Sequence, residues 1–331
     1  MCSRVAISQQ GFAKAAEHLK ELAQVTISKE RLRMIVEREG QLVLSSQQKG
    51  LLPADFDMED CKTSPKGPKR VYMGTDGVKV PMVTKDEKNR RRKSRARKRP
   101  GSKRRQMRPG ADNSYKEFKI VTIYDQSNEH RQVVATSGNH EVLGKMLRRE
   151  AKRLKINDAD QKIAIADGAE WIRKQFQSKL PMLDCQILDF YHLSEHIWAV
   201  SNVCFTQGSD QAKTFASDLL HIAKHEGPTV LLTRLTDERK RCRNRCKRKV
   251  LKDLIRYIAN RFEMCDYPKF LAQAWQIGSG PTEAMCKVLT YRLKGSGMRW
   301  DRVGSEAIMA LVALQESNTW KSYWDIQKQA A

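Results

Sequence analysis

The sequence predicts an α/β protein: a mixed sheet, part antiparallel meander and part helical crossovers, with an all-helical insertion and a small helical region ahead of it. Three observations predict it. Apolar residues recur at helical spacing over 9–40, give way to strand-like runs over 70–189, and return to helical spacing from 192 to 275. Within 70–189 the elements run three strands, then helix, strand, helix, strand. The 331 residues, 40% of them apolar, suffice for one large domain or two ordinary ones around a sizeable core.

The elements follow in order. Residues 9–40 read as two helices: Phe12, Ala15, Ala16, Leu19, Leu22 and Ala23 stripe the first, and Leu32, Ile35 and Val36 the second. Ser28 is a good N-cap for the second, Ile27 staples onto Leu32, and Gly40 suits a left-handed C-terminal position. With Lys29, Arg31 and Arg33 on its second helix, the pair has the form of a helix-turn-helix over 1–40, against the plainer reading of a helical hairpin. Residues 41–69, polar and punctuated by Pro53, Pro65 and Pro68, read as a linker. Strands follow at 70–75 and, past an Asp76-Gly77 turn, 78–83, then at 118–124 and 131–136. A helix at 141–154, a buried strand at 162–167, a helix at 171–180 and a strand at 185–189 complete the first part. This order is that of an RNase H-like fold. Residues 190–275 read as the all-helical insertion, and 276–331 as the last part of the core, with helices at 281–294 and 303–316.

The charge is strongly one-sided, 62 Lys and Arg against 38 Asp and Glu, a net +24. That argues for a polyanionic partner, nucleic acid first, and against a generic metabolic enzyme. No run of apolar residues is long enough for a membrane helix, and the N-terminus is too short and polar for a signal peptide. Eight scattered Cys read as reduced intracellular thiols. Half the net charge lies in 85–108, where fourteen basic residues face two acidic ones. With few apolar residues this stretch is expected to be a disordered loop whose Arg90, Arg91, Arg92, Lys93, Arg95, Arg97, Lys98, Arg99, Arg104 and Arg105 contact phosphates. A second basic run, 239–249, carries Cys242 and Cys246; without a second pair nearby they read as thiols on a basic helix, not half a zinc site.

Three carboxylates stand at element ends: Asp76 after the first strand, Asp167 ending the fourth, and Glu283 opening a helix. In an RNase H-like sheet the ends of strands one and four are neighbours, so Asp76 and Asp167 would face each other. Like charges that close are costly without a cation between them, and a hard divalent ion such as Mg²⁺ (or Mn²⁺) relieves the cost. Two such ions can drive a phosphodiester displacement. Singly, each acid has a plain reading: Asp76-Gly77 and Asp167-Gly168 as turn dipeptides, and Glu283 as the capping-box acid of a helix capped by Gly280. Together, in this order, the catalytic reading is favoured.

These segments carry a resemblance. Gly-Thr-Asp76-Gly-Val-Lys-Val-Pro, Ile-Ala-Asp167-Gly-Ala-Glu-Trp-Ile, Leu-Asp189-Phe-Tyr-His192-Leu-Ser-Glu-His196 and Gly-Ser-Gly-Pro-Thr-Glu283-Ala-Met-Cys-Lys, then Arg292-Leu-Lys-Gly-Ser-Gly-Met-Arg-Trp300, resemble the DDE transposases of bacterial insertion sequences. The chain looks closest to the Kra group and related to the Mutator-like enzymes. The N-terminal Ala-Ala-Glu-His-Leu and Ile-Ser-Lys-Glu-Arg-Leu segments are similar too, although this chain starts almost at that motif, where the family is expected to carry a further region. The resemblance implies that Asp76, Asp167 and Glu283 bind metal, with Asp189 and His192 as an auxiliary pair. The spacings, 91 residues from Asp76 to Asp167 and 116 from there to Glu283, suit a core with a helical insertion. Element ends and target, both double-stranded DNA, would be the substrates, held by Lys29, Arg33, the basic loop, Lys287, Arg292, Lys294 and Arg299. A homodimer or higher multimer would join two ends, in the bacterial cytoplasm. Trp300 reads as packing. The competing readings are an RNase H-like nuclease without strand transfer and a DNA-binding remnant without activity.

Overall fold

In the computed structural model, which describes residues 1–9, 11–96, 115–295, 298 and 300–329 (of 85, 88, 91 and 94–96 the backbone alone), five strands form one mixed sheet. These are β1 (Arg70–Val80), β2 (Lys116–Asp125), β3 (Arg131–Thr136), β4 (Gln161–Ala166) and β5 (Cys185–Leu188), in the spatial order β3-β2-β1-β4-β5. β1 to β3 form an antiparallel meander, and β4 and β5 add in parallel to the free edge of β1. The predicted α/β class stands.

The first strand corrects a turn. β1 runs unbroken through Asp76-Gly77, which pair with Ile120 and Lys119 of β2. A dipeptide that reads as a turn in isolation is held extended because β2 offers ladder partners along its whole length.

Alternation along β1 divides the core. Val71 and Met73 face α5 (His140–Arg153) and α6 (Glu170–Lys179), packing with Leu143, Leu147, Ile172 and Phe176. Tyr72 faces the other side with Ile163, Ile165 and Ile187, against the helical insertion. On that side too, at the β2–β3 end, Val78, Val80 and Ile120 pack under the N- and C-terminal helices.

The N-terminal helices are α1 (Cys2–Ser8), α2 (Phe12–Ala23) and α3 (Lys29–Lys49). Ser28 caps α3 as expected, its side chain accepting from the Arg31 N–H at 3.2 Å. Gly40, however, ends nothing: α3 continues to Lys49, and Gly50 takes the left-handed position at φ 71°. Gly40 is buried instead where α3 crosses α13 (Arg302–Glu316); a Cβ there would lie 2.3 Å from the Ala307 carbonyl oxygen. The residue is glycine for close approach, not for turning. The reading of 41–69 as a linker also gives way, since Phe56, Met58 and Cys61 are buried in the core beside Val71 and Met73.

Residues 85–96 of the expected disordered loop form α4 (Lys85–Ala96). Lys and Arg are good helix formers, Asp86 and Glu87 complement the dipole in the first turn, and Thr84 Oγ1 accepts from the Glu87 N–H at 3.1 Å. The calls on Arg97, Lys98, Arg99, Arg104 and Arg105 lie outside the described residues, as does that on Arg299.

The insertion comprises α7 (Phe190–Cys204), α8 (Asp210–His225), α9 (Pro228–Arg241), α10 (Arg245–Ala259) and α11 (Tyr267–Ala272), around Leu219, Leu231, Leu251 and Ile258. α12 (Gly280–Tyr291) returns the chain to the sheet, followed by α13, buried on most sides as its sequence predicts, and α14 (Trp320–Gln329). Among the described residues no helix is long and apolar enough to cross a membrane.

Candidate active site

The parallel strands set the site. The β1–β4 register ends at Gly74↔Ile165 and the β4–β5 register at Ala166↔Leu188. Continued by two residues and by one, they set Asp76, inside β1 where its parallel pairing stops, level with Asp167 and Asp189, which follow the last residues of β4 and β5, on the side where open α/β sheets place their ligands.

α12 supplies the fourth acid, and a missing side chain lets it. Gly74 lies under Thr282; a Cβ at position 74 would sit 1.8 Å from Thr282 Oγ1. With that space open, the Thr282 hydroxyl reaches Thr122 Oγ1 at 2.5 Å, and one turn later Cys286 Sγ donates to Asp76 Oδ2 at 3.5 Å. The N-cap of α12 is Ser279, not Gly280, so Glu283 stands one position beyond the capping-box slot. Its N–H bonds the Ser279 carbonyl at 3.0 Å, and its exposed carboxylate is left for the cleft, with only a 3.4 Å contact from Ser279 Oγ.

The resulting cleft, about 380 Å³, is lined by Asp76, Asp167, Asp189, His192, Glu283, Lys287 and Lys294, together with Thr75, Val78, Glu195, Ser279, Thr282 and Cys286. The sequence-predicted acids are thus brought together, and two predicted DNA-contacting lysines stand exposed at its rim. Burial raises the Asp76 carboxyl above the usual carboxylate range; the charges of Asp167 and Glu117 push the same way, opposed by the Gly77 N–H and the Cys286 thiol. Burial and the neighbouring Asp76 likewise hold the Cys286 thiol protonated. Among the described residues no three His, Cys, Asp or Glu side chains are gathered into a ready-made metal cage. The donor chemistry still fits a hard divalent cation: Asp76, Asp167 and Glu283 present only carboxylate oxygens to one cleft, and the charge of Asp167 disfavours ionisation of Asp76.

Asp189 has a different task. It is 2% exposed, its Oδ1 accepts from the Tyr191 and His192 N–H groups at 2.6 and 3.3 Å, and its Oδ2 accepts from the Ser279 N–H at 2.9 Å and from the Ser279 hydroxyl. All this bonding capacity goes to pinning the start of α7 to the approach of α12. His192 lines the cleft, with Nδ1 3.4 Å from Glu195, and packs edge-on to His196.

Arg292 is a correction. Expected on DNA, it is 2% exposed, with Nε donating to the Ala6 carbonyl at 3.1 Å and its guanidinium 4.7 Å from the Phe12 ring centre and 5.1 Å from that of Trp300. Burial lowers its pKa to about 10, so it stays charged at neutral pH while tying α1 and α2 to the end of α12. Trp300 packs, as predicted, edge-on to Phe12. Lys29 and Arg33 are exposed on the first turns of α3, 3.8 Å from Glu30 and Glu37 respectively. Arg90, Arg92 and Lys93 are exposed on α4, which also carries Arg91 and Arg95.

Sequence reasoning missed Ser279, Cys286, Tyr257 and Arg261. Tyr257 Oη donates to the Asp167 carbonyl at 3.4 Å, and Arg261 Nε to that of Gly168 at 2.9 Å, so the insertion buttresses the β4 end of the cleft. Nothing local signals these contacts, which span some ninety residues. No protein-family model matches the chain, and no curated protein matches it.

Proposed function

We propose that the protein is a DDE-type transposase, an RNase H-like polynucleotidyl transferase that cuts insertion-sequence ends and joins their 3′-hydroxyls to target DNA. The observation that carries the reading is the single cleft in which Asp76, Asp167 and Glu283, from three separated segments, share walls with Lys287 and Lys294. The strand order β3-β2-β1-β4-β5, with Asp76 level with Asp167 where the parallel pairing of β1 and β4 stops, supports it.

Asp76, Asp167 and Glu283 would hold Mg²⁺ or Mn²⁺, two ions in the arrangement proposed. Bound there, divalent ions supply charge neutralisation for an attacking and a leaving oxygen in phosphodiester displacement. The chain's own contribution is positioning and charge. Lys287 and Lys294 offset phosphate charge at the rim, while α4 and the first turn of α3 offer further cations to a duplex. Asp189, through Ser279, fixes where α12 begins and therefore where Glu283 stands. Phosphoryl transfer asks little else of a protein. Joining two ends requires a multimer, a homodimer or larger.

The test is metal-dependent cleavage and joining on a plasmid carrying the DNA that flanks the coding sequence. Wild type is expected to cut and join only with Mg²⁺ or Mn²⁺, and Glu283→Gln to do neither while still binding the duplex. Cleavage without joining would replace the transposase by a nuclease; equal activity in the variant would end the reading.

A further inference from the structure

A second hollow lies outside the acidic cleft, between α7 and α10. It is an open groove of about 490 Å³. Its outer half is apolar, floored by Val200 and Leu254 and edged by Val203 and Val250. At its inner end three flat groups stack: the His196 ring centre lies 4.1 Å from that of Tyr257 at 35°, and the Arg261 guanidinium lies 4.0 Å from the same ring. That end abuts the catalytic cleft, through the bonds of Tyr257 to the Asp167 carbonyl and of Arg261 to the Gly168 carbonyl. From His196 to Val203 the groove follows two turns of helix, about 10 Å.

The outer end opens on a strongly basic surface. Residues 239–252 include nine Lys and Arg and no acid. Arg241, Arg243, Arg245, Arg248, Lys249 and Lys252 are exposed, and Lys247 reaches across to donate to the Cys204 carbonyl at the end of α7. One carboxylate edges the groove, Asp253, and it is paired with Arg256 at 3.3 Å.

An apolar, aromatic trough that begins at a carboxylate cleft and ends in dense positive charge matches one kind of polymer: bases that have lost their pairing partners, joined by phosphates. Duplex DNA hides its base faces and has no use for such a floor. Single strands expose them, and stacking on aromatic and guanidinium planes is how proteins hold them without regard to sequence. We infer that the α7–α10 groove takes up an unpaired DNA strand leaving the acidic cleft, with a base against the His196–Tyr257–Arg261 stack and the following phosphates on the α9–α10 corner. The inference rests on the proposed DNA function but concerns a separate surface.

The experiment measures binding of the full chain to a fluorescent thymine oligonucleotide of roughly 12 nucleotides, a usual single-strand site size, and to a blunt duplex of equal length. His196→Ala removes a member of the stack, and Val203→Glu sets a negative charge on the groove's edge at a side chain already 48% exposed, where folding is not at risk. Each variant is expected to weaken oligonucleotide binding at least about fivefold, the range of a lost base stack, and to weaken duplex binding less, because a duplex keeps its base faces covered. A fluorescent purine analogue in the oligonucleotide should be quenched by wild type and less so by His196→Ala. Wild-type affinity for the oligonucleotide in both variants, or equal loss on oligonucleotide and duplex, overturns the inference. The two readings fail separately. Cleavage that depends on Glu283, with groove variants that bind like wild type, removes only the groove; groove-dependent oligonucleotide binding without any cleavage removes only the transposase.

Discussion

The Asp189 carboxylate and the Ser279 N–H meet at 2.9 Å across 90 residues of sequence, with the Ser279 hydroxyl on the same oxygen. This pair joins the end of the last parallel strand to the start of the helix that carries Glu283, so one buried contact helps to set the shape of the acidic cleft.

Ser279→Ala removes a donor from an aspartate that is 2% exposed. Leaving a buried charged acceptor short of a partner costs roughly 1–3 kcal/mol. Chemical denaturation should show a loss of that size, and cleavage should fall further than the loss of folded protein explains, because α12 is no longer fixed at its origin.

Asp76→Asn should stabilise the fold at neutral pH. The folded-state carboxyl is raised, mainly by burial. Its contribution to stability is therefore fully present below the unfolded value of about 4 and is lost as pH rises through the folded value, so at pH 7 the ionised group is a burden. Asparagine does not ionise. Thermal melting is expected to place the variant above wild type at pH 7, with the gap closing toward about pH 4. Millimolar Mg²⁺ should raise the wild-type midpoint and barely move the variant's.

Gly74→Ala forces a Cβ to within 1.8 Å of Thr282 Oγ1. Either β1 or α12 must move, an overpacking cost of about 1–3 kcal/mol. Activity should suffer more than stability, as α12 carries Glu283. The double variant with Thr282→Ala removes the offending oxygen and should regain part of both, which a double-mutant cycle would measure.

The cations divide sharply. Lys287→Ala and Lys294→Ala should weaken duplex binding and each reduce the salt slope of the affinity by about 1. Arg292→Ala should leave that slope unchanged and instead cost about 2–5 kcal/mol of stability, since a large buried side chain leaves a cavity beside Phe12 and Trp300 and the Ala6 carbonyl loses its donor.

Much of this was legible in the sequence. The period change gave the α/β class and the order of strands, and the acids at predicted strand ends do line one cleft. What escaped was decided by distant partners. Asp76-Gly77 is extended because β2 pairs with it. Arg292 reads as surface from its charge, and only Ala6, Phe12 and Trp300 bury it. Tyr257 and Arg261 look like any residues of a basic helix end until the insertion folds back on Asp167 and Gly168. Helix propensity in a run of Arg and Lys outweighed the expectation of disorder over 85–96.

Where Gly40 meets the backbone of Ala307 there is no room for a side chain between the two helices. The leading helices are consequently a stiff extension of the body rather than a module on a hinge. Anything they grip is presented to the acidic pocket at a set distance and angle, as work is held in a jig, and reach must come from elsewhere in the chain.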